Sequence, residues 1–389
     1  MKLLKQMYDK IKNNTNNVVL FNIKKYHFTT LNFFNKHAIL TYSLKRILLS
    51  LAALFVGISI IFLLVRSTTD TNSFLPEAAN KYNWSDEQCQ TYLKNRLTPI
   101  GLYGPIWDQL WHFWYNIIPI IPKEIPTNIK FDERTGQIIS VSYQTYFVYF
   151  GVTTSSIVGP NQNINDLFNQ RIGYSFIFGI IAIAISYLVG IPLGILSAMK
   201  KHNMSGNFIN TLFLFLYSIP TVILVLGLYV LPVVGLEQSK LFISGSFWSK
   251  FWPELTMCIL FIPVIVILTR RYFVEELNNE YVNFAITKGV SKNKLFFKHI
   301  FRNTSVVLIR TLPMDIGLAV FGFSMISETQ WNIPGIGSLI VDALTPGATD
   351  PLTILAYVVL SGATVTITSL LSDLLMIKLD PRIKLGGKI

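Results

Sequence analysis

Charge is scarce in this chain. Only 14% of its 389 residues are Asp, Glu, Lys or Arg, where a soluble domain carries about a quarter. Cysteine occurs twice, Cys89 in a polar stretch and Cys258 in an apolar run, which excludes a disulfide scaffold. The five histidines (His27, His37, His112, His202, His299) all lie outside the apolar runs. No H-E-x-x-H is present, so neither a metal site within the membrane nor a cofactor is expected. There is no G-x-x-x-x-G-K-[ST] phosphate loop and no G-x-S-x-G elbow. The chain itself is therefore expected to hydrolyse no ATP and to carry no catalytic residue. What is abundant is apolar: 51% of the residues are hydrophobic and the mean hydropathy is +0.46. That balance excludes a disordered chain, a coiled coil and an ordinary soluble enzyme, and describes an integral membrane protein.

A helix crosses the bilayer with about 20 apolar residues. Six runs read as spans: 47–65, 172–199, 208–236, the shorter 255–269, and 304–327 and 352–377, which hold Arg310 with Asp315 and Asp373 respectively. The first reads as a signal-anchor helix. It starts after 46 residues, and Val65-Arg66-Ser67 is no small-x-small cleavage site. Gly190, Pro192, Gly194, Pro220, Pro232, Pro263, Pro313 and Gly317 interrupt the later runs. Bundled membrane helices tolerate them because neighbours re-satisfy the freed backbone groups. A kinked bundle of this kind suits a transporter more than a simple anchor.

The formal charge of +12 is explained by topology. Residues 1–46 hold nine Lys/Arg and one acid, Asp9; loop 200–207 holds Lys200 and Lys201; loop 270–304 holds seven basic residues. The tail adds Lys378, Arg382, Lys384 and Lys388. These segments alternate along the chain. Loop 328–351 has acids only, and segment 66–171 is near balance. The positive-inside rule then places both termini in the cytoplasm, and no nucleic-acid partner is needed to account for the charge. The organisation expected is a basic cytoplasmic tail (1–46), a first transmembrane helix (47–65) and an enlarged extracellular segment (66–171). A core with helices 2–6 follows (172–379), and then a cytoplasmic tail (380–389).

In segment 66–171 the run from Trp107 to Tyr115 reads first as an interfacial helix with aromatic rings at headgroup level. Its second reading is a surface that receives a substrate or partner. Residues 131–150 read as a β-hairpin around Thr135-Gly136. Four ionisable groups stand in or beside the late spans: Arg310, Asp315, Glu328 and Asp373. Such groups are costly in lipid. They mark either a translocation pathway or gate, or an internal Arg–Asp pair together with end-of-helix groups reaching the interface. Arg310 and Asp315, five apart, do not face one another on a straight helix.

Loop 270–304 is patterned. Glu280 to Val290 reads as a short helix ending at a Gly289 C-cap, and Ser291 opens a second helix from Lys292 to about Phe301. Ala285 and Gly289 are small residues four apart. Here the chain resembles the ATP-binding-cassette importer permeases, whose Ala-x-x-x-Gly loop falls on Ala285 and Gly289. It resembles their peptide/nickel branch, B-type oligopeptide permeases in particular, through Tyr281-Val282, Ala285, Lys288-Gly289, Ser291, His299 and Arg302-Asn303. Further pieces follow in order: Leu44-Lys45-Arg46-Ile47 with Gly57 to Phe62, Gly190-Ile191-Pro192-Leu193-Gly194, Ser218-Ile219-Pro220, Glu328-Thr329 with Pro334-Gly335-Ile336-Gly337, and Asp373 with Leu379 to Ile383. Two departures stand out. Asn283 and Phe284 replace the general Glu-Ala, and Ser67-Thr68-Thr69-Asp70 replaces the Pro-Gly-Asp-Pro expected after the first span.

The resemblance implies an all-α polytopic protein with six transmembrane helices and the type I ABC importer permease fold, in the plasma membrane of a bacterium. It implies one half of a permease pair, with a second homologous permease, two ABC ATPases, an extracellular substrate-binding protein and a peptide substrate as partners. The loop from Tyr281 to Asn303 would couple to the ATPases. Oligopeptides lead among substrates, with dipeptides or nickel as the alternative. A membrane-embedded enzyme and a passive channel are the other classes, disfavoured by the missing catalytic motifs and by the patterned loop.

Overall fold

The computed structural model describes residues 38–379, except 70, 133, 156 and 239–241. The basic stretch 1–37 and the tail 380–389, with its Asp380-Pro381-Arg382-Ile383 motif, lie outside the described residues. The first helix, α1 (Ala38–Thr68), begins nine residues before the expected span. Nothing in Ala38 to Arg46 is a helix breaker, so the helix continues past its charge boundary.

Beyond α1 a 3₁₀ turn (Thr71–Phe74) leads to α2 (Glu77–Lys81), α3 (Asp86–Leu97) and α4 (Ile106–Ile117). Ser85 and Gln88 form a reciprocal capping box at the start of α3. Strands β1 (Lys123–Phe131) and β2 (Ile138–Tyr146) pair antiparallel, with Gly136 at φ +71° in the turn. The turn lies where the sequence placed it, but the first strand lies upstream of 131. Pro126 and the lack of clean alternation in Lys123–Phe131 conceal it.

The spans follow: α5 (Ile164–Met199), α6 (Met204–Ser218), α7 (Thr221–Val230) with a π turn Leu231–Gly235, and α8 (Phe247–Leu277). Then come α9 (Glu280–Thr287), α10 (Lys292–Leu295), a π turn Phe296–Phe301, and α11 (Arg302–Leu318). A further π turn (Ala319–Phe323) joins α11 to α12 (Ser324–Gln330), followed by α13 (Ile336–Ala343) and α14 (Pro351–Leu379). Among the described residues five helical stretches are long and apolar enough to cross a membrane, and α6 with α7 makes a sixth. That third run is not one straight helix: α6 and α7 are bent by 98°. Pro220 has no N–H to donate and pushes Ile219 into extended backbone, φ −72° and ψ 128°.

Helices α5 and α8 pack closely. A Cβ on Gly194 would stand 2.6 Å from Thr269 Cβ and 2.8 Å from the Val266 carbonyl oxygen. The backbones therefore approach as closely as a small-residue interface permits. We call the end that carries residues 280–303 the loop end, and the opposite end the cap end. At the cap end, α3, α4, β1 and β2 share one apolar cluster with the spans through Phe62, Leu97, Phe113, Ile164, Ile336 and Leu352. Asp350, fully buried, binds the two sides together. It accepts N–H groups from Thr154 (2.7 Å) and Ser155 (3.1 Å), just before α5, and from Thr353 (3.1 Å) in the first turn of α14.

Candidate coupling loop and charged groups of the spans

Helix α9 ends because Gly289 takes φ +72°, a left-handed conformation that glycine adopts without steric cost. The Val290 N–H reaches back to the Ala285 carbonyl (3.1 Å) and the Gly289 N–H to that of Ile286 (3.0 Å). This is the Schellman arrangement. The loop then folds onto the ends of α5 and α8. Ala198, Phe273, Val282, Leu295 and Ile300 are buried together, with Tyr281, Ala285 and Val290 packed around them. Burying that apolar surface is what holds the loop in place.

Polar ties add direction. Glu276, in the last turn of α8, accepts from Tyr281 Oη at 2.7 Å and from Asn303 Nδ2 at 2.5 Å on one oxygen, and from Asn279 Nδ2 at 2.8 Å on the other. Asn303 also reaches Tyr281 Oη at 3.3 Å. The start of α9, the start of α11 and the end of α8 thus meet on one carboxylate. Lys201 donates to Asn278 (3.0 Å) and brings the 200–203 turn to the same place.

The predicted loop residues divide into two groups. Tyr281, Ala285, His299 and Asn303 are half-buried against the bundle, with the Tyr281 and His299 rings 6.5 Å apart. Lys288, Gly289, Ser291 and Arg302 are exposed. Ala285 and Gly289 do not form one small-residue stripe. The helix stops at Thr287, so Ala285 packs inward while Gly289 caps the end with no atom within 4 Å of its Cβ position. The exposed side carries Phe284 (60%) and Phe297 (66%), with the Lys288 ammonium 4.3 Å from the Phe284 ring centroid.

The four ionisable groups of the late spans make different contacts. Asp373 pairs with Arg46 of α1, Oδ2 to Nε 2.6 Å. Asp315 accepts from Tyr187 Oη at 2.6 Å, joining α11 to α5; the same hydroxyl lies 3.0 Å from Thr311 Oγ1. Glu328 is 1% exposed and accepts the Gly337 N–H (2.7 Å) and the Ser338 N–H (3.2 Å) on Oε2, at the start of α13. Arg310 is half-buried, and its carbonyl accepts from Ser372 Oγ at 2.6 Å. Asp373, Asp315 and Glu328 are thus each bonded within the bundle.

Sequence reasoning missed Glu276 and Asp350. It also missed Glu254 on α8, which with Lys250 and Ser244 lines a groove of about 670 Å³ between α5 and α8, walled mostly by apolar groups such as Phe178 and Phe251. An acid within an apolar lining was the available signal for Glu254. The other two answer partners too distant in sequence, or too short a pattern, to be seen.

Residues 190–385 match the family described as the binding-protein-dependent transport system inner membrane component, just over half of the chain. The chain is 30% identical over 222 residues to the oligopeptide transport system permease protein AmiC of Streptococcus pneumoniae, across 55% of this chain and 43% of that protein. It therefore spans less than half of AmiC's length. It is 30% identical over 236 residues to the dipeptide transport system permease protein DppB of Bacillus subtilis, across 60% of this chain and 75% of that protein. A solved inward-facing structure of the MetNI methionine ABC transporter aligns with a TM-score of 0.46 at 14% identity, over 55% of this chain and 96% of that one. The match to half of the chain and the run of membrane-spanning helices lead to one assignment: this multi-pass bacterial membrane protein belongs to the binding-protein-dependent transport system inner membrane component family.

Proposed function

We propose that the chain is one permease subunit of an ATP-driven importer of oligopeptides. It forms half of a pathway whose other half is a homologous permease. The observation that carries this reading is the loop 280–303. It is pinned to the ends of α8 and α11 through Glu276 and to the end of α5 through the buried cluster around Ala198 and Phe273, yet turns Phe284, Phe297, Lys288 and Gly289 outward. A passive channel has no use for a rigid docking surface of that kind. Two ATPase subunits would seat on it in the cytoplasm, and a binding protein would deliver substrate at the cap end. With no phosphate loop in the chain, hydrolysis falls to those partners.

Alternating access needs contacts that differ between two states. A loop fixed to three helix ends moves them together when an ATPase pair closes beneath it. On this reading Tyr281, Ala285, His299 and Asn303 hold the loop's shape, while Lys288, Gly289, Ser291 and Arg302 meet the ATPase. Asp315, Glu328 and Asp373 act as ties between helices, and Arg310 is the candidate to face the pathway. Relatives named for dipeptide transport support a second reading with shorter peptides. Deleting the chain and following uptake of labelled di-, tri- and pentapeptides tests both. Loss confined to dipeptides selects the second reading, and unchanged uptake of all three overturns the proposal.

A further inference from the structure

Helix α4 lies along α1 in a defined register. Gln109 Oε1 accepts from Arg66 Nε at 2.6 Å, the Phe113 ring lies 5.0 Å from Phe62, and Trp114 Nε1 donates to Ser59 Oγ at 3.0 Å. Trp114 and Trp111 then reach Phe55, with centroids 4.6 and 6.5 Å away. The two helices are therefore antiparallel, and α4 descends from Arg66 toward the middle of α1. At 1.5 Å per residue, Phe55 lies about 16 Å below Arg66 and about 14 Å above Arg46. The charge-free run 47–65 between those arginines is the only part of α1 able to fill a hydrocarbon core of about 30 Å. If α4 sat at headgroup level, Phe55 would be interfacial and the core would have to take in Lys45 and Arg46.

The surface of α4 agrees with this depth. Trp107, Trp111 (63% exposed) and Tyr115 form a stripe at every fourth residue on the exposed side of α4, with the Tyr115 ring 5.4 Å from the Lys123 ammonium. The ionisable residues of α4 are Asp108, at the Arg66 end, and the exposed His112 one turn further along. Beyond the helix, Ile118, Ile120 (78% exposed) and Ile121 project outward with no charge among them. Irregular backbone is costly in lipid unless its polar groups are satisfied. Here Lys123, buried, turns its ammonium onto the carbonyls of Asn116 (3.2 Å), Ile118 (2.7 Å) and Phe147 (2.6 Å).

We infer that α4 and the turn 118–121 are immersed in the acyl chains of the cap-end leaflet, as a half-depth wedge against α1. The occupant of the exposed stripe is phospholipid hydrocarbon, continuous with the lipid that covers Leu48 and Leu51 of the same span. The inference stands apart from the import reading, since it concerns only what solvates this face.

The test is nitroxide accessibility in the full chain, purified with whatever partners it retains and reconstituted into phosphatidylethanolamine/phosphatidylglycerol vesicles. In a Cys89→Ser, Cys258→Ser background, single labels go on Ile120→Cys and Tyr115→Cys. Leu48→Cys serves as the lipid reference and Lys94→Cys as the water reference. Both test sites are exposed, and Ile120 decides the test because the Tyr115 ring also meets the Lys123 ammonium. Collision with oxygen should exceed collision with nickel-EDDA at Ile120 and Tyr115, as at Leu48, and the preference should reverse at Lys94. A nickel preference at Ile120 places the turn in water and overturns the inference. Protection from both reagents there means a protein partner covers the stripe, and overturns it equally.

Discussion

Arg46 and Asp373 meet at 2.6 Å across α1 and α14, 327 positions apart in the chain. The pair ties the first span to the last near the loop end, so α1 is held to the family's core region by a charge contact as well as by packing. The Arg46 side chain is 45% exposed, and water or lipid headgroups partly screen the interaction. Asp373→Asn is expected to cost about 1 kcal/mol or less. The exchange Arg46→Asp with Asp373→Arg should recover part of it in a double-mutant cycle read by thermal unfolding in detergent. Additive single effects would mean the two charges do not interact in solution.

Gly337 is required by contact. A Cβ there would lie 2.4 Å from Met325 Cα and 2.9 Å from Glu328 Oε2. Gly337→Ala should destabilise by about 1–3 kcal/mol through overpacking. Gly57→Ala, with nothing within 4 Å, should be neutral or slightly stabilising in the α1 interior. Equal melting temperatures for the two variants would refute the packing argument.

Gly289 is required by conformation. Its Cβ direction is open, but φ is +72°. Gly289→Asn should therefore be tolerated, and Gly289→Val should cost about 1–2 kcal/mol. Gly289→Trp adds bulk to the proposed docking face. Its expected result is normal yield, lost transport and lost co-purification of the ATPase. Retention of both by Gly289→Trp would show that the loop does not dock there.

Glu276 gathers Tyr281, Asn303 and Asn279. These donors are only partly buried, so water can replace the acceptor and Glu276→Ala should cost less than about 1–3 kcal/mol in stability. Its main effect should be on coupling: with partners present, ATP hydrolysis should persist while peptide uptake falls. Glu276→Gln keeps an acceptor and should lie between. Proportional loss of hydrolysis and uptake would assign Glu276 a general folding role.

Orientation is tested by an impermeant maleimide on intact cells. Cys89, half-exposed, should label, whereas Cys258, buried in α8, should not. Asn203→Cys and Ser291→Cys should label only after permeabilisation. Labelling of Ser291→Cys on sealed cells would reverse the assigned topology.

The legible and illegible parts of the sequence differ for physical reasons. Apolar runs reveal spans because lipid demands about 20 apolar residues in a row, and Gly289 reveals the end of α9 because few other residues take its φ. The bend at Pro220 was visible as a residue, but its size depends on what α6 and α7 pack against. Glu328 and Gly337, nine apart, were both noticed without the bond between them. Arg46 with Asp373, and Asp350 with Thr154, were beyond reach, since a lone carboxylate does not name a partner across hundreds of residues. For β1, Pro126 masked a strand that its pairing with β2 maintains.

Asp350 also sets where motion can begin. One carboxylate holds the turn leading into α5 and the first turn of α14, and the 153–162 turn is itself closed by paired backbone bonds between Thr153 and its neighbours Asn161 and Gln162. The two spans are thus clasped at the cap end, while their far ends, Met199 and Leu379, have no such common anchor among the described residues. On the alternating-access reading, rocking of α14 against α5 would pivot at this clasp. A small opening near the clasp becomes a wide one some 40 Å away, about the length of a 29-residue helix.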